Sequence, residues 1–340
     1  MPSLPQRYKA AQIQEKEGKF EIVEVPYKSP EDGHVVVKVL ASGVCHSDSA
    51  VVLQLMPTGL PRVPGHEIVG EVVDVPSSEK RWKVGDRVGS GWHGGHCFTC
   101  ESCKRGDFVT CENQNVNGVF TDGGHAEYAT LRTEALLSIP TDMDVAEAAP
   151  LLCAGVTVYN SIRSTGVRPG DVVAIQGIGG LGHLAIQFCR AAGYKTVALS
   201  TSDSKRSLAE ELGAHVYVDG SKEDQAEALQ KLGGARVVAC TAPHSDSISK
   251  LINGLRPDGE LLVLALTDKI EVPVVPIIQK RLTIKGFPSG TPKDEEDTVA
   301  FAKNAGVKTR VERYKLEQVQ EAYESMMNGK ARFRSVLVFE

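Results

Sequence analysis

The stretch QGIGGLGHLAIQF, Gln176 to Phe188, sets Gly177, Gly179 and Gly182 in a G-x-G-x-x-G pattern. It follows the apolar, strand-like run Val172–Ile175 and opens a helical pattern, the setting in which this spacing becomes informative. Glycines at these places allow a tight turn and a close backbone approach, so that the helix N-terminus faces a pyrophosphate. The loop residues Gly177, Gly179, Gly180, Leu181 and Gly182 are therefore candidate cofactor contacts. A tight strand–helix turn without a ligand is the competing reading.

Outward from this loop, DVVAIQG, KTVALS, HVYVDG, ARVVACTA, GELLVLAL and LTIKGF are short apolar runs, several of them separated by helical patterns such as KRSLAEELGA. Strands alternating with helices predict an α/β unit with a doubly wound parallel sheet, and six such runs complete a Rossmann-type sheet over 153–287. Twenty-three residues past Gly177 the second run ends at Ser200, where an NAD-selective site would place Asp or Glu for the ribose hydroxyls. Thr201, Ser202, Lys205 and Arg206 follow closely. A neutral strand end beside a cation favours a 2′-phosphate, and hence NADP over NAD. Asp203 in the same turn works against this, and Lys205 and Arg206 also read as the solvated start of a helix.

The first third has a different texture. FEIVEV, HVVVKVLASGV and IVGEVVDV are β-branched runs broken by Pro and Gly clusters, which read as strands. The Gly- and Cys-rich segment Gly89–Cys111 has little apolar content, so something other than a core must hold it. Within it Cys97, Cys100, Cys103 and Cys111 are spaced C-x2-C-x2-C-x7-C. Tight C-x2-C turns converge thiolates on one tetrahedral ion, and the longer loop delivers the fourth; four thiolates leave no open position, so the site is expected to be structural. A bacterial-type iron–sulfur run would have three residues before its last Cys and a Pro after it, where this chain has seven and Glu112. After Pro288, helical stretches at 293–304 and 316–327 and the strand RSVLVFE form a tail too small to fold alone, expected to return to the first domain. That gives one domain from 1–152 and 288–340, carrying a lobe at 90–113, and a second at 153–287.

Three further stretches carry chemistry. CHSD, Cys45–Asp48, packs a thiol, an imidazole, a hydroxyl and a carboxylate together. PRVPGHEIVGEV carries His66 and Glu67 between a Pro-Gly turn and a strand, and LLCAGVTVY holds Cys153 in an apolar run. Alone, His66 reads as a turn histidine and Cys153 as packing. Together with Cys45 they make two thiols and one imidazole, the ligand set of a catalytic zinc with one open position.

In this order the motifs VCHSD, GHE, the four-Cys lobe, LLCAGVTVY and GIGGLG resemble the zinc-containing medium-chain alcohol dehydrogenases, including the yeast-type and cinnamyl-type branches, over essentially the whole chain. The resemblance implies a GroES-like catalytic domain beside the Rossmann-type one, with two zinc ions per subunit. It places Cys45, His66 and Cys153 on catalytic zinc, with Glu67 as an exchangeable ligand and Asp48 orienting the His66 ring. Cys97, Cys100, Cys103 and Cys111 hold the structural zinc. It makes Ser47 the proton relay, His46 and Arg334 pyrophosphate contacts, Thr157 a nicotinamide-side contact and Trp92 a wall of the substrate pocket. The implied reaction interconverts alcohols with aldehydes or ketones by hydride transfer to and from the nicotinamide, in a homodimer or homotetramer.

One departure concerns Ala50, which stands where many relatives carry a histidine that completes the proton path. SAVVLQLMPTGLP also lacks the tryptophans that narrow the yeast-type pocket, so substrates larger than ethanol are expected. Two other readings compete: a catalytically weakened zinc- and nucleotide-binding protein, to which Ala50 leans, and a zinc-independent enone or quinone reductase, which would need neither Cys45, Cys153 nor the lobe. His96 reads as turn chemistry beside the lobe, His93 as a possible pocket residue, His125 as structural, and Cys189 and Cys240 as core thiols. The acid run DEEDT, 294–298, reads as a solvated helix start.

Composition sets outer bounds. A net charge of −5 and pI near 6.0 demand no basic surface for nucleic acid or anionic lipid. No apolar run approaches the roughly 20 residues that span a bilayer, and the start lacks a signal-peptide layout, so a cytoplasmic protein that binds no membrane is expected. Eight cysteines then read as ligands or packing rather than disulfides.

Overall fold

A computed structural model describes residues 4–339 and divides the chain into two compact units. Of the described residues, the first comprises 4–153, 290–300 and 309–339; the second, 154–289 and 301–308. The segment 301–308 thus clusters with the second unit instead of staying with the tail. Phe301 explains this locally, since its ring packs on Tyr159 and Phe188 with centroids 4.9 and 6.0 Å apart.

The second unit is a six-stranded sheet in the order Val216–Asp219, Lys195–Ser200, Val172–Gln176, Ala235–Cys240, Leu255–Val263, Thr283–Gly286. Every neighbouring pair is parallel. In order of appearance this is 3-2-1-4-5-6, the doubly wound arrangement. Val172–Gln176 is buried at all five positions, as a strand covered by helices on both faces must be. Cys240 and Cys189 are buried here, and burial pushes the Cys240 thiol up to about 12 and the Cys189 thiol higher still.

The first unit is built on His34–Val44, eleven residues at the heart of a seven-stranded sheet. That strand pairs antiparallel with Ile68–Asp74, Tyr128–Arg132 and Arg334–Val338, so the last strand of the chain joins the first domain. Arg7–Ile13 forms a seven-residue hairpin ladder with Phe20–Pro26. Its sequence, RYKAAQI, alternates too weakly to announce a strand.

The acid run at 294–298 departs from its expected role. The helix Pro292–Ala305 does start there, and Asp294 accepts from the Thr291 backbone N–H at 2.9 Å. Glu295 and Thr298, however, are fully buried, because the helix turns that face inward. Among the described residues no single helix is long and apolar enough to cross a membrane.

Candidate functional site

Strand register assembles the first cluster. His34–Val44 ends immediately before Cys45, and Ile68–Asp74 begins immediately after Glu67. Ser42 pairs with Ile68 and the Gly43 N–H donates to the Glu67 carbonyl at 3.0 Å, which brings Cys45 beside His66 and Glu67. On the other side Ser335 pairs with Val44, which delivers Arg334 to the same place. Cys153 arrives from the end of the short 3-10 turn Ala149–Leu152. Ligand-type atoms of Cys45, His66, Glu67 and Cys153 all lie within 4.8 Å of one another. Gly43 leaves room for this: a Cβ there would stand 1.9 Å from Glu67 Oε2.

The donor set fits a tetrahedral zinc. With Zn–S bonds of about 2.3 Å, the sulfur–sulfur edge of a tetrahedron is about 3.8 Å, and Cys45 Sγ and Cys153 Sγ lie 3.8 Å apart. His66 Nε2 and Glu67 Oε2 are buried with no ordinary hydrogen-bond partner among the described residues, an arrangement that is costly without a cation. The Cys153 thiol beside it holds the Cys45 thiol well below its usual range, against the effect of burial, and His66 adds to this. Cys153 moves the other way, raised by the same contact and by burial. Burial alone would lower His66, but the charges of Asp48 and Cys45 outweigh it and hold the ring well above the usual imidazole range. Burial lifts the Glu67 carboxyl to about 7 even though Arg334 opposes the rise.

The other expected neighbours take distinct positions. Asp48 is buried with Oδ1 3.2 Å from His66 Nδ1, and its Oδ2 accepts from the Cys45 N–H at 2.8 Å. Ser47 is half-buried and His46 exposed, both in the 3-10 turn His46–Asp48. Ala50 is buried one turn on, with no polar atom to offer. The Trp92 ring stands edge-on to His66 at 4.9 Å and 86°. It belongs to an apolar cluster with Met56, Leu60 and Phe120. Arg334 is buried and donates to Glu67 Oε1 and to the Val44 carbonyl, the latter at 3.5 Å. The sequence did not connect Arg334 to Glu67, for no local pattern marks a pair so far apart along the chain.

The four lobe cysteines form the second cluster, also within 4.8 Å. Cys97 Sγ lies 3.6 Å from Cys111 Sγ and 4.0 Å from Cys103 Sγ, and Cys100 Sγ is 3.9 Å from Cys111 Sγ, all close to the tetrahedral edge. Backbone N–H groups of Cys100 and Asn113 point at Cys97 and Cys111 sulfurs at 3.4 and 3.3 Å, as thiolates require. Hydrogen bonds from Thr99 and nearby backbone bring the Cys97 thiol down to about 5, whereas burial raises Cys103 to about 12. Beside the lobe, His93 and His96 are buried against each other, Nε2 to Nδ1 at 3.0 Å, and His96 stacks on Phe108. Both rings are thus engaged within this lobe region.

In the second unit the three glycines divide the work their spacing implies. Gly177 has φ +91°, and a Cβ there would press on Ala242 at 2.6 Å. A Cβ at Gly182 would stand 1.9 Å from the Gly177 carbonyl, so this residue seats the helix Gly182–Ala191 against the strand. Gly179 has nothing within 4 Å of its missing side chain, which leaves open backbone for a ligand to approach. Gly180 and Leu181 complete the turn, and Lys205 Nζ reaches back to the Ile178 carbonyl at 2.7 Å. Ser200 ends its strand half-buried, with Thr201 and Ser202 exposed after it. Arg206 and Lys222 both pair with Asp203, at 2.7 and 3.3 Å. Thr157 is half-buried on the helix Ala154–Arg163.

A doubly wound unit with a glycine loop, joined to a β-rich unit with two ligand clusters, defines a medium-chain dehydrogenase. Residues 31–141 match the alcohol dehydrogenase GroES-like domain and residues 180–329 the zinc-binding dehydrogenase domain. Alcohol dehydrogenase patD of Penicillium expansum is 46% identical over 335 residues, covering 98% of each chain. An alcohol dehydrogenase of Geobacillus stearothermophilus is 39% identical over 97% of this chain and 98% of its own. Among solved structures, a cinnamyl alcohol dehydrogenase of Sorghum bicolor superposes with a TM-score of 0.89 at 29% identity, covering 98% of this chain and 97% of its own. The chain belongs to the zinc-containing medium-chain alcohol dehydrogenase family. It is an alcohol oxidoreductase acting on small molecules.

Proposed function

We propose that this protein is a zinc-dependent alcohol dehydrogenase and aldehyde reductase that prefers NADP and acts on substrates larger than ethanol. The observation that carries the reading is the convergence of Cys45, His66, Glu67 and Cys153 within 4.8 Å. Cys45, His66 and Cys153 hold the catalytic zinc, and Cys97, Cys100, Cys103 and Cys111 hold a structural one. Zinc bound at the first cluster supplies a Lewis acid for the substrate oxygen, and the nicotinamide supplies the hydride carrier.

The chain's own residues do the rest. Asp48 keeps the His66 ring oriented through Nδ1, and Arg334 holds Glu67 to one side. Ser47, half-buried beside the ligand Cys45, takes the substrate proton outward. Ala50 cannot extend that path, so the proton passes from Ser47 to solvent. His46 and Thr157 contact the cofactor. The Arg334 Nε, buried without a partner among the described residues, is the donor left for a phosphate oxygen. Trp92, with Met56, Leu60 and Phe120 behind it, gives the substrate an apolar wall. Gly177, Gly179, Gly180, Leu181 and Gly182 cradle the pyrophosphate. Ser200, Thr201, Ser202 and Lys205 receive the ribose end, and no carboxylate repels a 2′-phosphate from the strand terminus itself.

Eight free cysteines, six of them clustered as ligands, suit a reducing cytosol. Leu266, Val274, Val275 and Ile278 are exposed on the segment that leads into the edge strand Thr283–Gly286, a combination that suits a homodimer or homotetramer.

The decisive experiment crosses NADH and NADPH with short, long, branched and aromatic aldehydes, with metal content measured on the same sample. Two zinc per subunit, faster turnover with NADPH and higher kcat/KM for substrates beyond C2 are expected. Full activity after stringent chelation overturns the zinc assignment, and a peak at ethanol or acetaldehyde overturns the size assignment. Cys45→Ser and Cys153→Ala are expected to lower kcat by about a thousandfold, the several kcal/mol a Lewis acid contributes, while cofactor binding persists.

A further inference from the structure

We propose that His125 is a positioning residue of the candidate catalytic metal site, acting on it through Asp48. The inference rests on the zinc reading above and adds a residue to it.

Asp48 accepts one hydrogen bond and stands against two imidazole nitrogens in the buried interior of the first unit. Its Oδ2 accepts from the Cys45 N–H at 2.8 Å and lies 3.5 Å from His125 Nε2, while Oδ1 lies 3.2 Å from His66 Nδ1. On the far side of the His125 ring, Nδ1 is 2.9 Å from Ser42 Oγ. Ser42, Asp48, His66 and His125 are all at most 1% exposed. Neither imidazole nitrogen makes a hydrogen bond of ordinary geometry to Asp48, so these are close electrostatic contacts and their proton arrangement follows from the chemistry of the groups.

An ionised carboxylate only accepts, so each imidazole must present an N–H to it. A metal-binding His66 is neutral and carries its proton on Nδ1, which leaves the Nε2 lone pair for the metal. A neutral His125 carries its proton on Nε2, which leaves Nδ1 as an acceptor, and the Ser42 hydroxyl then donates to it. With both rings neutral, one assignment of protons satisfies the whole row, Ser42 to His125 to Asp48 to His66.

The ring of His125 is held by more than this row. Its backbone N–H donates to the Pro64 carbonyl at 3.0 Å and its carbonyl accepts from Ala11 at 2.8 Å. Gly65, at φ +103°, lets the ring approach the segment that leads into His66, since a Cβ there would stand 2.6 Å from His125 Nδ1. Phe20 packs on the remaining side, with ring centroids 6.0 Å apart. His125 is therefore fixed to the GHE turn and to Asp48 at once. Without it, Oδ2 keeps the Cys45 N–H alone, and the carboxylate is free to turn away from His66.

Outer partners of metal ligands typically set metal affinity by about ten- to a hundredfold. The test uses full-length protein loaded with Co(II), read by its thiolate-to-cobalt absorption, with affinity measured by chelator competition. Cys45→Ser serves as the reference that identifies the catalytic-site signal. His125→Phe is expected to weaken cobalt and zinc binding at that site by about ten- to a hundredfold and to shift its absorption, with lobe occupancy unchanged. His125→Gln, which keeps an N–H donor in reach of Asp48, is expected to restore most of the affinity, and Ser42→Ala to weaken it by less than His125→Phe. If His125→Phe does not fold, His125→Gln and Ser42→Ala against wild type carry the comparison: Gln within threefold of wild type with Ala weaker supports the role. Unchanged affinity and spectrum in His125→Phe, or equal losses in Phe and Gln, overturn it. Absence of any cobalt signal sensitive to Cys45→Ser overturns the metal-site reading instead, which separates the two failures.

Discussion

Arg334 donates from Nη2 to Oε1 of Glu67, with the two side chains 4% and 0% exposed. Removing one partner of such a pair leaves a buried charge without compensation, at a cost of about 3–5 kcal/mol. Arg334→Met is therefore expected to destabilise the fold by that order, and the double variant Arg334→Met, Glu67→Gln to recover most of it. Burial already lifts the Glu67 carboxyl to about 7. Without the guanidinium it rises further, so it is protonated, and needs no partner, at the lower pH. Urea unfolding should show a larger penalty for Arg334→Met at pH 8 than at pH 6. Equal penalties at both would mean that Glu67 is not the group left stranded.

The lobe makes a separate prediction, because metal binding to four thiolates is folding free energy. Cys97→Ser and Cys111→Ser are each expected to drop zinc content from two to one per subunit and to lower thermal stability by several kcal/mol. Turnover per correctly folded, catalytically loaded molecule should change less than threefold. Variants as heat-stable as the parent would remove the structural assignment.

The proposed preference for NADP rests on the end of the second parallel strand. Arg206 and Lys222 both pair with Asp203, so that carboxylate is already balanced, while Lys205 leans over the glycine loop. Ser200→Asp puts a negative charge where the ribose phosphate would sit and should move the NADPH/NADH ratio of kcat/KM towards NADH by about ten- to a hundredfold, the loss of one charge-assisted contact. Lys205→Ala should cut kcat/KM with NADPH more than with NADH. No change in either ratio would mean that the ribose lies elsewhere.

Much of this architecture was legible because the signals are local. GIGGLG sits between a β-branched run and a helical pattern, and six apolar runs at regular intervals announce the sheet on either side of it. The four lobe cysteines declare themselves by spacing alone. The proposed catalytic ligands were harder, since Cys45, His66 and Cys153 look unremarkable one at a time and were joined only by matching a known zinc ligand set and by the family resemblance. What the sequence could not convey was pairing across the sheet. Arg334 reaches Glu67 only through the register of the last strand, and His125 reaches Asp48 because the loop before Tyr128–Arg132 folds under the GHE turn. DEEDT misled for the same reason, since four acids in a row look solvated until the face of the helix is known.

Glu295 is the residue that corrects that reading, and its titration is measurable. It is fully buried, and neither carboxyl oxygen has a side-chain partner among the described residues. Its Oε1 and the Leu152 carbonyl crowd one point beside Gly91, 2.1 and 2.2 Å from where a Cβ would sit. Burial raises the group well above its ordinary 4.5, against the pull of the Gly91 N–H. The folded protein therefore holds a proton that the unfolded chain releases, and stability falls as pH climbs above the unfolded value, by up to about 1.4 kcal/mol per unit until the folded group ionises. Glu295→Gln keeps a neutral donor and removes this slope. Its unfolding free energy should match wild type near pH 5 and exceed it increasingly towards pH 8, whereas parallel profiles would show that Glu295 ionises in place.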